Sequence, residues 1–205
     1  MAKADFQHVR TTAYTHTEAD HLVYTDHNAL GGHLQAASAP IHRAEYVPRA
    51  LPAGRDLSPE YERGSSISSS LYLAPQKRKV TKWVKTRHGR KKVIVTETVR
   101  PTIGSAAADW SRWPAGTIFR LLSTGQVYKV DDYGWALSGR NTIDLYMANR
   151  STMNGWGVRT EPIQVLRWGD PQQSLQVLQN RIGYKHIRRM VLELQGQHEQ
   201  AAALQ

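Results

Sequence analysis

The chain has 205 residues with 27 Lys+Arg against 17 Asp+Glu, a formal net charge of +10, and a mean hydropathy of −0.54 in which no window is apolar for long enough to read as a membrane span. The absence of cysteine excludes a disulfide scaffold, thiolate metal sites and a cysteine nucleophile. Six Trp, nine Tyr and many aliphatic residues exclude a wholly disordered basic tail, so one folded domain with decorations is expected.

Residues 1–37 read as the first part of that folded body. Met1 to Arg10 contains no apolar stretch of the kind that forms a secretory signal. His16, Glu18, Asp20 and His21, followed by His27 and His33, are the densest group of side chains able to bind metal. The separation of His16 from His21 suits neither one face of a helix nor one face of a strand. A polar loop with no metal is therefore expected, with Glu18 or Asp20 as a further acid for a groove.

Residues 38–102 read as an insertion. Pro40, Pro48, Pro52, Pro59 and Pro75, with the run Gly64 to Ser70, interrupt regular structure, and Ser65 to Ser70 have no neighbouring His with which to build a serine triad. Beyond them lie Lys77, Arg78, Lys79, Lys82, Lys85, Arg87, Arg90, Lys91 and Lys92, with no acid between. Taking these nine from the 27 leaves 18 basic against 17 acidic residues, a nearly neutral body. Val80, Lys82 and Val84, then Val93 and Val95, alternate with Thr and Lys around Arg87-His88-Gly89-Arg90, which predicts a β-hairpin over 77–95 with a cationic tip and one cationic face. Such a hairpin is either a solvated element that aids solubility or a grip on an anionic partner.

Residues 103–169 carry short apolar runs, Thr117 to Leu122, Val127 to Val130, Thr142 to Tyr146 and Ile163 to Leu166, separated by turns. This spacing predicts a small β-barrel or sandwich. In 170–205, Asp170-Pro171-Gln172-Gln173 forms a helix start. Leu175, Val177, Leu178 and Ile182, then Ile187, Met190, Val191 and Leu194 past Gly183, predict two helices packed on the β body.

Three aspartates stand beside small residues: Asp109 after Ala107-Ala108, Asp132 before Tyr133-Gly134, and Asp144 between Ile143 and Leu145. An acid within an apolar strand either hydrogen-bonds a turn or is held partly protonated as a general acid. Thr12-Ala13-Tyr14, Ala107-Ala108-Asp109, Trp113 to Thr117, Asp132 to Gly139, Ile143 to Tyr146 and Trp156-Gly157 occur in the order of the 3D (three-aspartate) domain family. The sequence thus resembles the MltA-type lytic transglycosylases and the stationary-phase-survival wall enzymes over 11–34 and 103–168. It departs from the family pattern at Gly134-Trp135, where Gly-Gly is common, at Leu137-Ser138, and by one extra residue between Gly139 and Asp144.

The resemblance implies a six-stranded double-psi β-barrel with the three acids clustered in a groove. It implies a carbon-oxygen lyase that cleaves the MurNAc-GlcNAc bond of peptidoglycan to leave 1,6-anhydro ends. Asp144 matches the general acid/base, Asp132 and Asp109 the supporting acids. Tyr14, Gly134, Trp135, Gly139 and Trp156 are the residues expected to contact the glycan, Trp135 either stacking on a sugar or filling the groove. No metal or cofactor is implied, and a periplasmic or extracellular location is. The basic hairpin would then meet an anionic envelope polymer. Nucleic acid is not the expected partner, because Trp83 is the hairpin's lone aromatic residue. The alternatives are a non-catalytic barrel that binds an anionic glycan or nucleic acid through the hairpin, and an inverting glycanase using two acids and a water.

Overall fold

The computed structural model describes residues 5–19, 23–38, 76–87 and 89–204. Asp20, His21, the turn residue His88 and the Gly64 to Ser70 run of the expected insertion lie outside these. The described chain is mainly β. Its strands are β1 (Phe6–Tyr14), β2 (Gln76–Thr86), β3 (Gly89–Val99), β4 (Gly104–Ala108), β5 (Ile118–Leu121), β6 (Val127–Asp132), β7 (Thr142–Tyr146) and β8 (Arg159–Arg167). A 3-10 turn spans Trp135–Leu137, and the helices are α1 (Arg150–Trp156), α2 (Pro171–Gln179), α3 (Lys185–Leu194) and α4 (His198–Ala202).

Six strands hydrogen-bond in the order β1, β7, β4, β6, β5, β8, and β8 pairs back onto β1, so the ring of pairings closes. The β1–β7 and β4–β6 pairs are parallel and the other four antiparallel. Closure leaves no free edge among these strands. Val9, Ala106, Phe119, Leu121, Tyr128, Val130, Ile143, Leu145, Ile163 and Val165 of these strands belong to one buried cluster. The β2–β3 hairpin forms a separate two-stranded sheet.

The end of the chain covers this core. Asp170 caps α2 by accepting from the Gln172 N–H at 2.8 Å, with Pro171 in the first turn, where a missing N–H costs nothing. Leu178 of α2 and Ile187, Met190 and Val191 of α3 are buried in the same cluster as Trp110 and Trp113. Two differences from the sequence reading are local. Ile182 lies in the turn after α2 and is half exposed, and Gly196, at φ +77°, ends α3 so that 170–205 holds three helices. No described helix is long and apolar enough to cross a membrane.

Candidate active-site groove

Period-two alternation resolves the position of Asp144. Ile143 and Leu145 point into the core and are fully buried, so Asp144 between them takes the opposite face of β7 and is only half buried. Its carboxylate accepts from Thr12 Oγ1 at 2.7 Å, across the β1–β7 pairing that sets Thr12 opposite Asp144. On the other side, Ala107 of β4 is in register with both Asp144 of β7 and Asp132 of β6. Thr12, Asp144, Ala107 and Asp132 thus form a row across four strands, and all line a groove of about 290 Å³. With neighbouring strands about 4.8 Å apart, the two acids stand on backbones about 10 Å from each other. Ala107, the small residue between them, is buried in a cluster with Tyr14, Leu34, Leu137 and Tyr146.

The two acids differ in their surroundings. Asp132 Oδ1 accepts from the Ala29 N–H at 3.1 Å and the Tyr133 N–H at 2.9 Å, and Oδ2 accepts from the Tyr14 hydroxyl at 3.1 Å. Burial, then the charge of Asp132, pushes the Tyr14 hydroxyl well above its ordinary range, so it remains a donor. Three donors hold the Asp132 carboxylate in place, whereas Asp144 lies on the more open side. Gly134 and Trp135 also line the groove, with Trp135 at 69% exposure. Its ring stands in solvent at the rim and does not fill the groove.

Three further residues expected at the site lie outside the groove lining. Asp109 is 1% exposed and lies outside the groove lining. Its Oδ1 accepts from the Ser111 N–H and hydroxyl, its Oδ2 from the Gly139 N–H, and its carbonyl from Arg112 and Trp113. Its carboxylate holds a turn, while Asp132 and Asp144 line the groove. Gly139 is likewise absent from the lining: at φ +79° it binds Asp109, and a Cβ there would collide with the Arg189 guanidinium. Trp156 is not in the groove lining either. Its Nε1 donates to Thr11 Oγ1 at 3.2 Å and its ring lies under the Arg159 guanidinium. Trp110, Trp113 and Trp168 serve packing, the last two stacked at 5.3 Å.

Sequence reading missed Arg10, Thr12 and Arg140, which line the groove, although Arg10, Thr12 and Tyr14 recur at a strand's period of two. Glu18, weighed as an extra acid, does line it, while His16 instead meets the Tyr146 hydroxyl through Nδ1 at 2.7 Å. Asp131 was also missed. It is buried, accepts from Ser105 Oγ at 3.1 Å, and has Lys129 Nζ at 3.6 Å. Its Oδ1 has no partner, and burial pushes its carboxyl up to about 6.

The hairpin sorts its side chains by register. Trp83 pairs with Lys92, Lys85 with Arg90, Thr81 with Ile94 and Lys79 with Thr96, so Lys77, Lys79, Lys85, Arg90 and Lys92 share one face with Trp83. The Lys92 ammonium sits 5.1 Å from the centre of the Trp83 ring. The other face carries Val80, Val84, Val93 and Val95 with the Lys82–Glu97 ion pair and Lys91.

Compared with protein-family models, with curated proteins and with solved structures, the chain matches none of them.

Proposed function

We propose that this protein is a lytic transglycosylase-like enzyme on a double-psi β-barrel, acting on the MurNAc-GlcNAc bond of peptidoglycan. The observation that carries this reading is the row of Asp132, Ala107 and Asp144 in one groove beneath the exposed Trp135. Asp144 donates its proton to the bridging oxygen as the bond from C1 of the muramic residue breaks. It then takes the proton of that residue's C6 hydroxyl as O6 closes onto C1. The acid ends as it began, and the product is a 1,6-anhydro sugar with no water consumed. Asp132, held by Tyr14, Ala29 and Tyr133, offers fixed negative charge to the positive sugar ring of the transition state. Trp135 gives one sugar face an aromatic surface. The reading carries export with it, since this polymer lies outside the cytoplasmic membrane.

The test is muropeptide analysis of digested sacculi. Wild-type protein should release 1,6-anhydro ends and a folded Asp144→Asn variant should release none; equal release by both overturns the assignment. Reducing ends in place of anhydro ends would assign a hydrolase in which water occupies the space between the two acids.

A second reading rests on the hairpin. Its five cations on one face around Trp83 suit an anionic polymer of the envelope, held as an accessory to the groove or in place of catalysis. Retention on sacculi that falls steeply with salt and is lost on removing 76–99 supports it. Unchanged retention after that removal counts against it.

A further inference from the structure

We propose that Asp26, His27 and His33 form a binding site for a divalent transition-metal ion, zinc foremost. The three side chains lie on the loop between β1 and the insertion. Asn28 shapes that loop: its Oδ1 accepts from the Leu30 N–H at 3.1 Å and the Gly32 N–H at 3.0 Å, and its own N–H donates to Gly32 O at 2.8 Å. Gly31 completes the turn at φ +83°. The turn sets His27 and His33 opposite each other in an isolated antiparallel bridge, with ring centres 4.5 Å apart.

The Asp26 carboxylate bridges the Nδ1 atoms of the two rings. Its Oδ1 is 3.2 Å from His27 Nδ1 and its Oδ2 is 3.0 Å from His33 Nδ1. One ligand atom from each residue lies within 4.8 Å of the others. Ligands at zinc distances in a tetrahedral shell lie about 3.3 Å from one another, so the two carboxylate–imidazole spacings already suit an ion. It would take the place of the hydrogen bond between the Asp26 carboxylate and the His33 ring. Two imidazoles and one carboxylate, all exposed, leave positions for water and match the ligand preference of zinc and its neighbours over magnesium or calcium.

A separate observation is backbone strain. Thr25, next to Asp26, takes φ +58°, the one non-glycine residue with positive φ among the described residues. A β-branched residue there is costly and is kept where a site demands it. The loop also reaches the groove, because Ala29, two residues after His27, donates its N–H to Asp132. An ion on His27 therefore braces the groove wall, although its binding does not depend on the function proposed for that groove.

The experiment uses untagged full-length protein stripped with a chelator and titrated with Co²⁺, then Zn²⁺. One equivalent of Co²⁺ should develop ligand-field absorption that Zn²⁺ displaces, and bound Zn²⁺ should raise Tm. His27→Ala, His33→Ala and Asp26→Asn should each weaken binding by more than about tenfold, and His8→Ala should not change it. Histidine NMR signals of the wild type give a readout that needs no variant: those of His27 and His33 should move on adding Zn²⁺ while those of His8 and His16 stay. Absence of saturable binding, movement of other histidines instead, or wild-type affinity in a His27→Ala/His33→Ala variant overturns the proposal.

Discussion

At the scale of single residues, Asp132 and Asp144 show how one side-chain type acquires two roles from its neighbours. Asp132 is fixed by three donors and Asp144 by the Thr12 hydroxyl on the open side of the row. Tyr14→Phe keeps the ring that packs edge-on to Tyr146 and deletes one donor to Asp132. Thermal or urea unfolding should show a loss of about 1.5–3 kcal/mol, the range for a hydrogen bond to a charged group, and turnover on sacculi should fall while Asp144 is intact. Asp131 makes a separate prediction. Its carboxyl titrates near 6 in the fold against an ordinary 3.8, so the folded chain binds this proton more tightly than the unfolded one. Its ionisation therefore leaves stability intact below about pH 4 and costs the fold as pH rises through 6, by on the order of 3 kcal/mol at neutrality. Asp131→Asn, which still accepts from Ser105, should gain Tm over the wild type at pH 7 and much less at pH 4. Equal differences at the two pH values would remove this account of the buried acid.

At the scale of elements, the local rules were legible where a pattern closes on itself. The alternation through Lys77 to Lys92 gave the hairpin, and its register divides the cations from the valines. Asp170-Pro171 marked the start of α2 because a cap and a proline act within one turn. Helix α1 was not expected, since a run from Arg150 to Trp156 shows no apolar stripe and buries no side chain. Its start is set by Asn149, whose side chain accepts from the Thr152 N–H at 2.9 Å. Helix α3 is different, with Ile187, Met190 and Val191 on a single buried face. Met190 also lies under the Trp110 N–H, 3.3 Å from its sulfur. Met190→Ala should cost about 2–5 kcal/mol in urea unfolding, as a cavity opens between α3 and Trp110. Replacing 76–99 by a short Gly-Ser link should leave Tm within a few degrees of wild type, because the hairpin is a sheet apart from the closed ring. A large fall in Tm would mean that the hairpin supports the ring.

At the scale of the whole molecule, a net charge of +10 describes no single surface. Nine cations belong to one exposed hairpin, while the groove carries Asp132, Asp144 and Glu18 alongside Arg10 and Arg140. A salt titration should therefore weaken any polymer held by the hairpin far more than it changes glycan turnover in the groove, measured with short uncrosslinked chains. The amino-acid sequence by itself determined the mainly β class, the hairpin, the capped helix and the candidacy of three aspartates, because each depends on residues close along the chain. Only the tertiary structure decided which acids meet. Asp132 and Asp144 come together because both are in register with Ala107 on a strand between theirs, a pairing between residues 25 and 37 positions away from it. Asp109, two residues from Ala107, turns inward to hold Ser111 and Gly139. Asp26 joined His27 and His33 for the same reason: a turn closed by backbone hydrogen bonds, not their spacing, aims the three side chains at one point.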